Sequence, residues 1–361
     1  MFRFLLLILV CQGCIPATVE DNSYALLIED FQSKGLLNGN VLVAENGKIV
    51  YQSAFGLSDF DPVDSLTLDA QFRLASVSKN FTAMAILTLV SQGKIAIDDT
   101  LSAYIPELPY EGITIRNLLN HTSGIPDYEK LFEEKWKPEL ASNDRARFIS
   151  GNEDVIKLLV EFSPEISFAP GEKWEYSNTG YVLLATIVTR ISGISFPEYL
   201  AENIFSQAGI TQTLVFNPIE VSPMNHRVSG FKLENNNFVS RDIHFLNPVQ
   251  GDGGIYSTVG DLFTWNQYLY NQTLIPDSLL QTAYTSGTLN NGEETGYGFG
   301  WGVGESPDGG KAVMHSGGWV GFSTYFYRDL ENHHAIIILT NNSSGEVRNI
   351  LNGLKVILYS Q

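Results

Sequence analysis

The sequence predicts an α+β fold in which an antiparallel sheet flanked by helices is built from both ends of the chain, with a mostly helical second lobe inserted. Three observations carry this. Strand signals cluster at the two ends, at Val41–Ala44 and Lys48–Tyr51 and again at Gly321–Arg328 and His334–Thr340. The apolar runs between them, Phe81–Val90 and Tyr181–Ile191, have helical length. A closing segment keeps apolar residues at helical spacing. The expected division is residues 22–75 with 245–361 for the sheet lobe and 76–244 for the helical lobe. A functional site is expected between the lobes, where pockets commonly form.

The elements follow in chain order. Asn46-Gly47 separates the first two strand segments and is a strong two-residue hairpin signal. Ser76 opens the run Phe81–Val90, which reads as a helix starting at Ser76, apolar on most faces and therefore buried. The most polar stretch, Glu129–Asp154, reads as a surface excursion whose charge run is a solvated helix face. A Pro/Gly turn with aromatics, Phe168–Glu175, leads into Tyr181–Ile191 as a loop feeding a helix, a usual place for functional groups. Gly296, Gly298, Gly300, Gly302 and Gly304 alternate with Tyr297, Phe299, Trp301 and Val303, which reads as a strand with one face cleared. Lys311–Trp319 reads as a strand whose glycines admit another backbone closely. Val347, Ile350, Leu351, Leu354, Ile357 and Leu358 lay one apolar stripe of the last helix on a sheet.

Three motifs stand on these elements: Ser76-Val77-Ser78-Lys79, Tyr176-Ser177-Asn178 and His315-Ser316-Gly317. Together they supply a nucleophile, two candidate bases and a substrate-docking strand, the inventory of an acyl-transfer enzyme. Ser-x-x-Lys alone is weak, since it recurs at Ser91–Lys94 and Ser229–Lys232. Ser76 differs in opening a buried helix, which places Lys79 one turn on and on the same face. The helix amino terminus adds unpaired donors and partial positive charge, which help a hydroxyl that is otherwise a poor nucleophile. Tyr-x-Asn occurs once in the chain.

With Leu118–Ile125, Gly251–Thr258 and Tyr297–Gly302, these motifs resemble the serine β-lactamase and penicillin-binding protein superfamily. The similarity is to its class C β-lactamase-like branch, which includes DD-peptidases, D-aminopeptidases and esterases, and it covers nearly the whole mature chain. The resemblance implies a β-lactamase/transpeptidase-like fold with Ser76 as nucleophile, Lys79 and Tyr176 sharing proton transfer, and Asn178 holding the substrate amide. It places His315, Ser316 and Gly317 on the substrate-binding strand. The backbone N–H groups of Ser76 and Gly318 would form the oxyanion hole, each member worth on the order of 3 kcal/mol. The implied activity is that of a serine hydrolase working through an acyl-enzyme on D-amino-acid peptides or small esters, with no cofactor and no metal. The alternatives are a class C-type β-lactamase, or a penicillin-binding or sensor protein that acylates without efficient turnover. A dead relative would be expected to lack Ser76, Lys79 or Tyr176, and all three are present.

One departure matters, because β-lactamases of this branch usually carry Lys-Thr-Gly where this chain has His315-Ser316-Gly317. A histidine with an ordinary pKa of about 6.5 is mostly neutral at neutral pH. A weak β-lactamase that favours peptides or esters is therefore expected, with a rate that depends on pH through His315.

Other chemistry is excluded more directly. No Gly-x-Ser-x-Gly elbow, His-Glu-x-x-His or P-loop sequence appears. His121, in a turn-like segment without a second histidine at ligand spacing, reads as structural. The adjacent His333 and His334 point apart on an extended backbone. The net charge of −18 argues against nucleic acid as a partner and against anionic lipid bound through a basic face. A chain of 361 residues with 44% hydrophobic content builds a large core.

Residues 1–14 form a leader in which Arg3 precedes the apolar run Phe4–Val10, too short for a membrane span and suited to a signal peptide. The chain is expected to be exported, as a periplasmic protein or a membrane-anchored lipoprotein of a bacterial envelope. Cys14 resembles a lipoprotein acylation site, while Cys11 is not the usual leucine, so lipid anchoring at Cys14 and cleavage near Pro16-Ala17 both stay open. Both cysteines lie in this leader, so the mature chain has no disulfide framework.

Overall fold

Asn46 and Gly47 both take positive φ, +49° and +74°, as a two-residue hairpin turn matched to strand twist requires. Strand β1 (Gly39–Glu45) therefore folds back on β2 (Lys48–Phe55). The computed structural model describes residues 22–60, 63–135, 149–218, 224–235, 237–343 and 345–360, and the leader with Cys11 and Cys14 lies outside them. Four more strands, β3 (Gly302–Glu305), β4 (Lys311–Trp319), β5 (Phe322–Asp329) and β6 (His334–Thr340), complete a six-stranded sheet. Its order is β3-β4-β5-β6-β1-β2, antiparallel throughout. The two ends of the chain meet where β6 pairs with β1, Ile337 opposite Leu42.

The pleat sends alternate residues to opposite faces. Ile336 and Ile338 join Val41 and Val43 in a cluster with the helices α1 (Ser23–Ser33) and α5 (Val347–Leu358). Ile337 and Leu339 enter the larger core with Leu42, on the side where helix Val259–Asn271 packs. That core continues into α2 (Lys79–Ser91) and α4 (Asn178–Ser192), which pack against each other. The last helix buries the expected stripe, Val347, Ile350, Leu351, Leu354 and Leu358. Among the described residues no single helix is long and apolar enough to cross a membrane.

Three expectations change. The α-helix begins at Lys79, and Ser76 stands before it on the short 3-10 turn Ala75–Ser78. Only Gly302–Glu305 of the glycine-alternating segment is a strand. Gly296 and Gly300 take φ of +68° and +77°, which breaks the extended backbone. The glycines there answer close approaches: a Cβ at Gly298 would lie 2.1 Å from the Ala283 carbonyl oxygen, and one at Gly300 2.7 Å from that of Lys79. The polar stretch from Glu129 is not simply a solvated face either. Helix α3 (Tyr128–Lys135) buries Tyr128, Leu131 and Phe132, while Glu129 is partly buried and lines a cleft. Residues 136–148 of that stretch lie outside the described residues.

Candidate active site

Ser76 is presented by a strained turn. Ala75 has φ +48°, a conformation that costs a non-glycine residue roughly 1–3 kcal/mol unless its surroundings hold it. They do so through β4, β5 and the strand Ile255–Ser257. The Thr324 hydroxyl donates to the Leu74 carbonyl at 2.7 Å, and the Leu74 amide donates to the Ile255 carbonyl at 2.8 Å. Gly317 supplies the room: a Cβ there would sit 2.2 Å from the Leu74 oxygen and 3.1 Å from the Ser76 nitrogen. Gly317 is buried, and its visible part is to bring β4 against the turn that carries Ser76.

Lys79 follows on α2 and is completely buried. Its ammonium donates to Ser76 Oγ at 3.1 Å, to Asn178 Oδ1 at 2.8 Å and to the Asp252 carbonyl at 2.8 Å. Asn178 is the first residue of α4, so the second motif is the loop feeding a helix that the sequence suggests. Asp127 fixes this junction, one carboxylate oxygen accepting from the Asn178 amide and the other from that of Glu129, both at 2.9 Å. Asn178 spends one side-chain N–H on Glu129 Oε1 at 2.8 Å and keeps a second. The Tyr176 ring lies 4.9 Å from Lys79 Nζ. Ser76, Lys79, Asn178 and Tyr176 are thus brought together.

His315 stands behind this group rather than in the open cleft. It is 6% exposed, with Nδ1 2.6 Å from the Ser316 carbonyl and Nε2 2.8 Å from the Tyr297 hydroxyl. A carbonyl only accepts, so Nδ1 carries the proton and Nε2 accepts from Tyr297. Burial first, and then the charge of Lys79, push its pKa down to about 3, against the bond to Ser316. The imidazole is neutral across the physiological range, which overturns the expectation that it makes the rate pH-dependent. Ser316 alternates outward and is exposed.

His121, read from sequence as structural, underlies the second motif. Its Nδ1 accepts from the Ser177 amide at 3.3 Å, and its ring lies 4.4 Å from that of Tyr176 and 4.6 Å from that of Tyr297. Burial first, and then the charge of Lys79, hold its pKa well below the ordinary value.

Ser76, Asn178, Glu129, Arg73, Gly318 and Trp319 line one open cleft. Ser76 and Gly318, the expected oxyanion donors, thus share one wall. From His315 onward β4 pairs only with β5, because β3 pairs with it no further than Met314. Sequence reasoning missed Arg73, Asp127 and Glu129, and quoted Asp252 only for its segment. Asp252 is buried and accepts from the Tyr128 hydroxyl at 2.9 Å; burial above all raises its pKa, opposed by Lys79. A readable signal exists for two of them, since Arg73 stands three residues before Ser76 and Asp127 lies two residues after the Leu118–Ile125 motif.

The family model described as Beta-lactamase matches residues 25–359. The chain belongs to the beta-lactamase family. By that membership it is a serine hydrolase with a β-lactamase/transpeptidase-like fold. Within the family it is 37% identical over 352 residues to "Penicillin-binding protein 4*" of Bacillus subtilis, spanning 93% of this chain and 75% of that protein. A penicillin-binding protein from Bacillus halodurans superposes with TM-score 0.79 at 25% identity, covering 92% of this chain and 98% of that one. The D-amino acid amidase of Ochrobactrum anthropi SV3, complexed with D-phenylalanine, shares the fold with TM-score 0.76 at 21% identity, over 95% of this chain and 100% of that one.

Proposed function

We propose that this family member hydrolyses D-amino-acid peptides, amides or small esters through an acyl-enzyme on Ser76. The carrying observation is the environment of Lys79 Nζ. Two of its three partners, Asn178 Oδ1 and the Asp252 carbonyl, are oxygens that only accept, and the third is Ser76 Oγ at 3.1 Å. An ammonium fills all three. A neutral amine keeps its two hydrogens on the two carbonyl oxygens and turns its lone pair to the serine proton. The same geometry therefore serves before and after proton transfer.

In the proposed reaction Ser76 Oγ forms a bond to the substrate carbonyl carbon as its proton passes to the Lys79–Tyr176 pair. The amides of Ser76 and Gly318 receive the developing oxyanion. The pair then returns the proton to the leaving amine or alcohol as its bond to carbon breaks. Water attacks the resulting ester and restores the serine. Asn178 offers its second N–H to the substrate, and Ser316 and Gly317 belong to the strand along which the substrate lies. The neutral His315 contributes no cation for a substrate carboxylate, which supports weak turnover of β-lactams.

A second reading, acylation by penicillin with slow release, draws on the name of the Bacillus subtilis relative. The deciding experiment is a time course with a chromogenic ester, an alanine p-nitroanilide and a fluorescent penicillin, beside Ser76→Ala, with intact mass to detect adducts. Turnover that vanishes in the variant is expected. A stable penicillin adduct without turnover of the other two would favour the second reading, and Ser76-independent turnover would remove the proposal. The leader points to export, with lipid at Cys14 as the form to test by intact mass of the mature protein.

A further inference from the structure

Arg73 stands in the wall of the Ser76 cleft with a charge that the fold does not neutralise. It lines the cleft yet is only 3% exposed, and among the described residues no acceptor reaches its Nε or Nη1. A buried charge is costly unless it is paired and hydrogen-bonded. Glu129 and His315 reduce that cost by shifting their pKa values, to about 8 and about 3. A guanidinium has no such escape, because it stays protonated in proteins. Its neighbours hold it in place without pairing it. Arg73 ends the short strand Phe72–Arg73 and lies opposite Tyr256 of the strand Ile255–Ser257. Its Cζ is 6.0 Å from the ring centroids of both Tyr256 and Trp319. Each ring is tied elsewhere, since Trp319 Nε1 donates to Asn247 Oδ1 at 2.8 Å and the Tyr256 hydroxyl accepts from Arg227 at 3.3 Å. Arg227 supplies the contrast: its Cζ lies 5.4 Å from the centroid of the same tyrosine ring, and it is paired with the Asp242 carboxylate. Among the described residues Arg73 has no such carboxylate.

Position decides which part of a substrate would supply one. His315 and Trp319 stand four residues apart on β4, about 13 Å along an extended strand, and Gly317 between them packs against the turn that carries Ser76. In the proposed reaction the leaving group takes its proton from the Lys79–Tyr176 pair, so it departs on the side where the rings of Tyr176 and His315 lie 6.3 Å apart. The acyl part is left to the Trp319 end, where Arg73 stands. Glu129 and Asp252 line the same cleft. Burial above all raises the pKa of both, which weakens their repulsion of an incoming anion.

We propose that Arg73 is a specificity-determining residue whose guanidinium receives a carboxylate carried by the acyl part of the substrate, at the opposite end of β4 from His315. The planar fork of arginine matches the geometry of a carboxylate. The proposal rests on the serine hydrolase reading above and narrows its substrates to those whose acyl group bears a free acid. That carboxylate takes no part in the covalent step: it stays ionised while Ser76 Oγ bonds to the acyl carbon and the amine or alcohol leaves with the serine proton.

The test uses p-nitroanilides and p-nitrophenyl esters of alanine, in both enantiomers, N-acylated with succinyl, glutaryl or the uncharged succinamoyl group. They are assayed on wild type, Arg73→Met, Arg73→Gln and Ser76→Ala. The two acids differ in length to allow for the reach to Arg73. Wild type should favour the better acid over the succinamoyl substrate by on the order of 30-fold in kcat/KM, the usual weight of a charged hydrogen bond. That ratio should fall toward one in both Arg73 variants. Arg73→Met should unfold at the wild-type temperature or above, because it removes a buried charge that lacks a partner. A preference that survives in the variants would place the carboxylate on another cation and overturn the proposal. Variants that lose stability and lose acid and succinamoyl substrates alike would mark a structural arginine and overturn it too. Ser76-dependent hydrolysis by wild type with no preference for either acid would remove this proposal and leave the hydrolase standing. No Ser76-dependent hydrolysis of any of these substrates would remove both.

Discussion

His315 moves the expected pH effect from the rate of reaction to the stability of the fold. Its pKa is pushed down to about 3 in the folded chain, against about 6.5 unfolded. Below about pH 6.5 the unfolded chain binds a proton that the native chain refuses until about pH 3, so stability is withdrawn as pH falls through that window. Linkage gives a loss of about 2 kcal/mol at about pH 5 and about 3 kcal/mol at about pH 4. The wild-type curve alone hides this. Glu129, raised to about 8, acts with the opposite sign, because the native chain holds a proton there that the unfolded chain loses above about pH 4.5. Asp252 acts in the same direction as Glu129 and His121 in that of His315. The difference between wild type and His315→Gln isolates the group, since glutamine can still accept from Tyr297 and donate to the Ser316 carbonyl. Urea unfolding at about pH 7 and about pH 5 should show the variant gaining about 2 kcal/mol relative to wild type on acidification. A gap that shifts by less than about 0.5 kcal/mol would refute the reasoning.

Two further predictions concern Ser76 as the proposed nucleophile. Gly317→Ala drives a Cβ to 2.2 Å from the Leu74 oxygen, and should cost on the order of 2 kcal/mol in thermal or urea unfolding together with most ester hydrolysis. Gly318→Ala meets nothing within 4 Å, and should unfold like wild type. Lys79→Arg retains a cation that cannot give up its proton, so turnover of a chromogenic ester should fall on the order of a thousandfold. Activity within about tenfold of wild type would mean that charge, not proton transfer, is what Lys79 contributes.

The parts of the fold legible in the sequence are those whose causes are local. Asn46-Gly47 meets the turn's need for positive φ without help, and the apolar run of α2 declares its burial because every one of its faces is covered. The start of that helix was misplaced from Lys79 to Ser76 for the opposite reason. The positive φ of Ala75 is held by Thr324 and Gly317, more than two hundred residues away in the chain. The glycines from Gly296 to Gly304 were misread likewise, since their spacing answers the carbonyls of Ala283 and Lys79 and not a pleat.

The site divides in the same way. That Ser76, Lys79, Tyr176 and Asn178 meet is legible because a turn or helix start fixes each pair, while Glu129 resembles one more charge on a solvated helix. Its partial burial comes from tertiary packing, and the charges that raise its pKa come from Asp127 and Asp252. A charge pattern counts residues and is blind to neighbours. The consequence reaches chemistry, because Asn178 joins the two kinds of residue: its oxygen holds Lys79 and one of its N–H groups holds Glu129. A shift of Glu129 would therefore be felt at Lys79 through this one side chain. The position of Glu129 and the alignment of Lys79 are therefore coupled in this cleft.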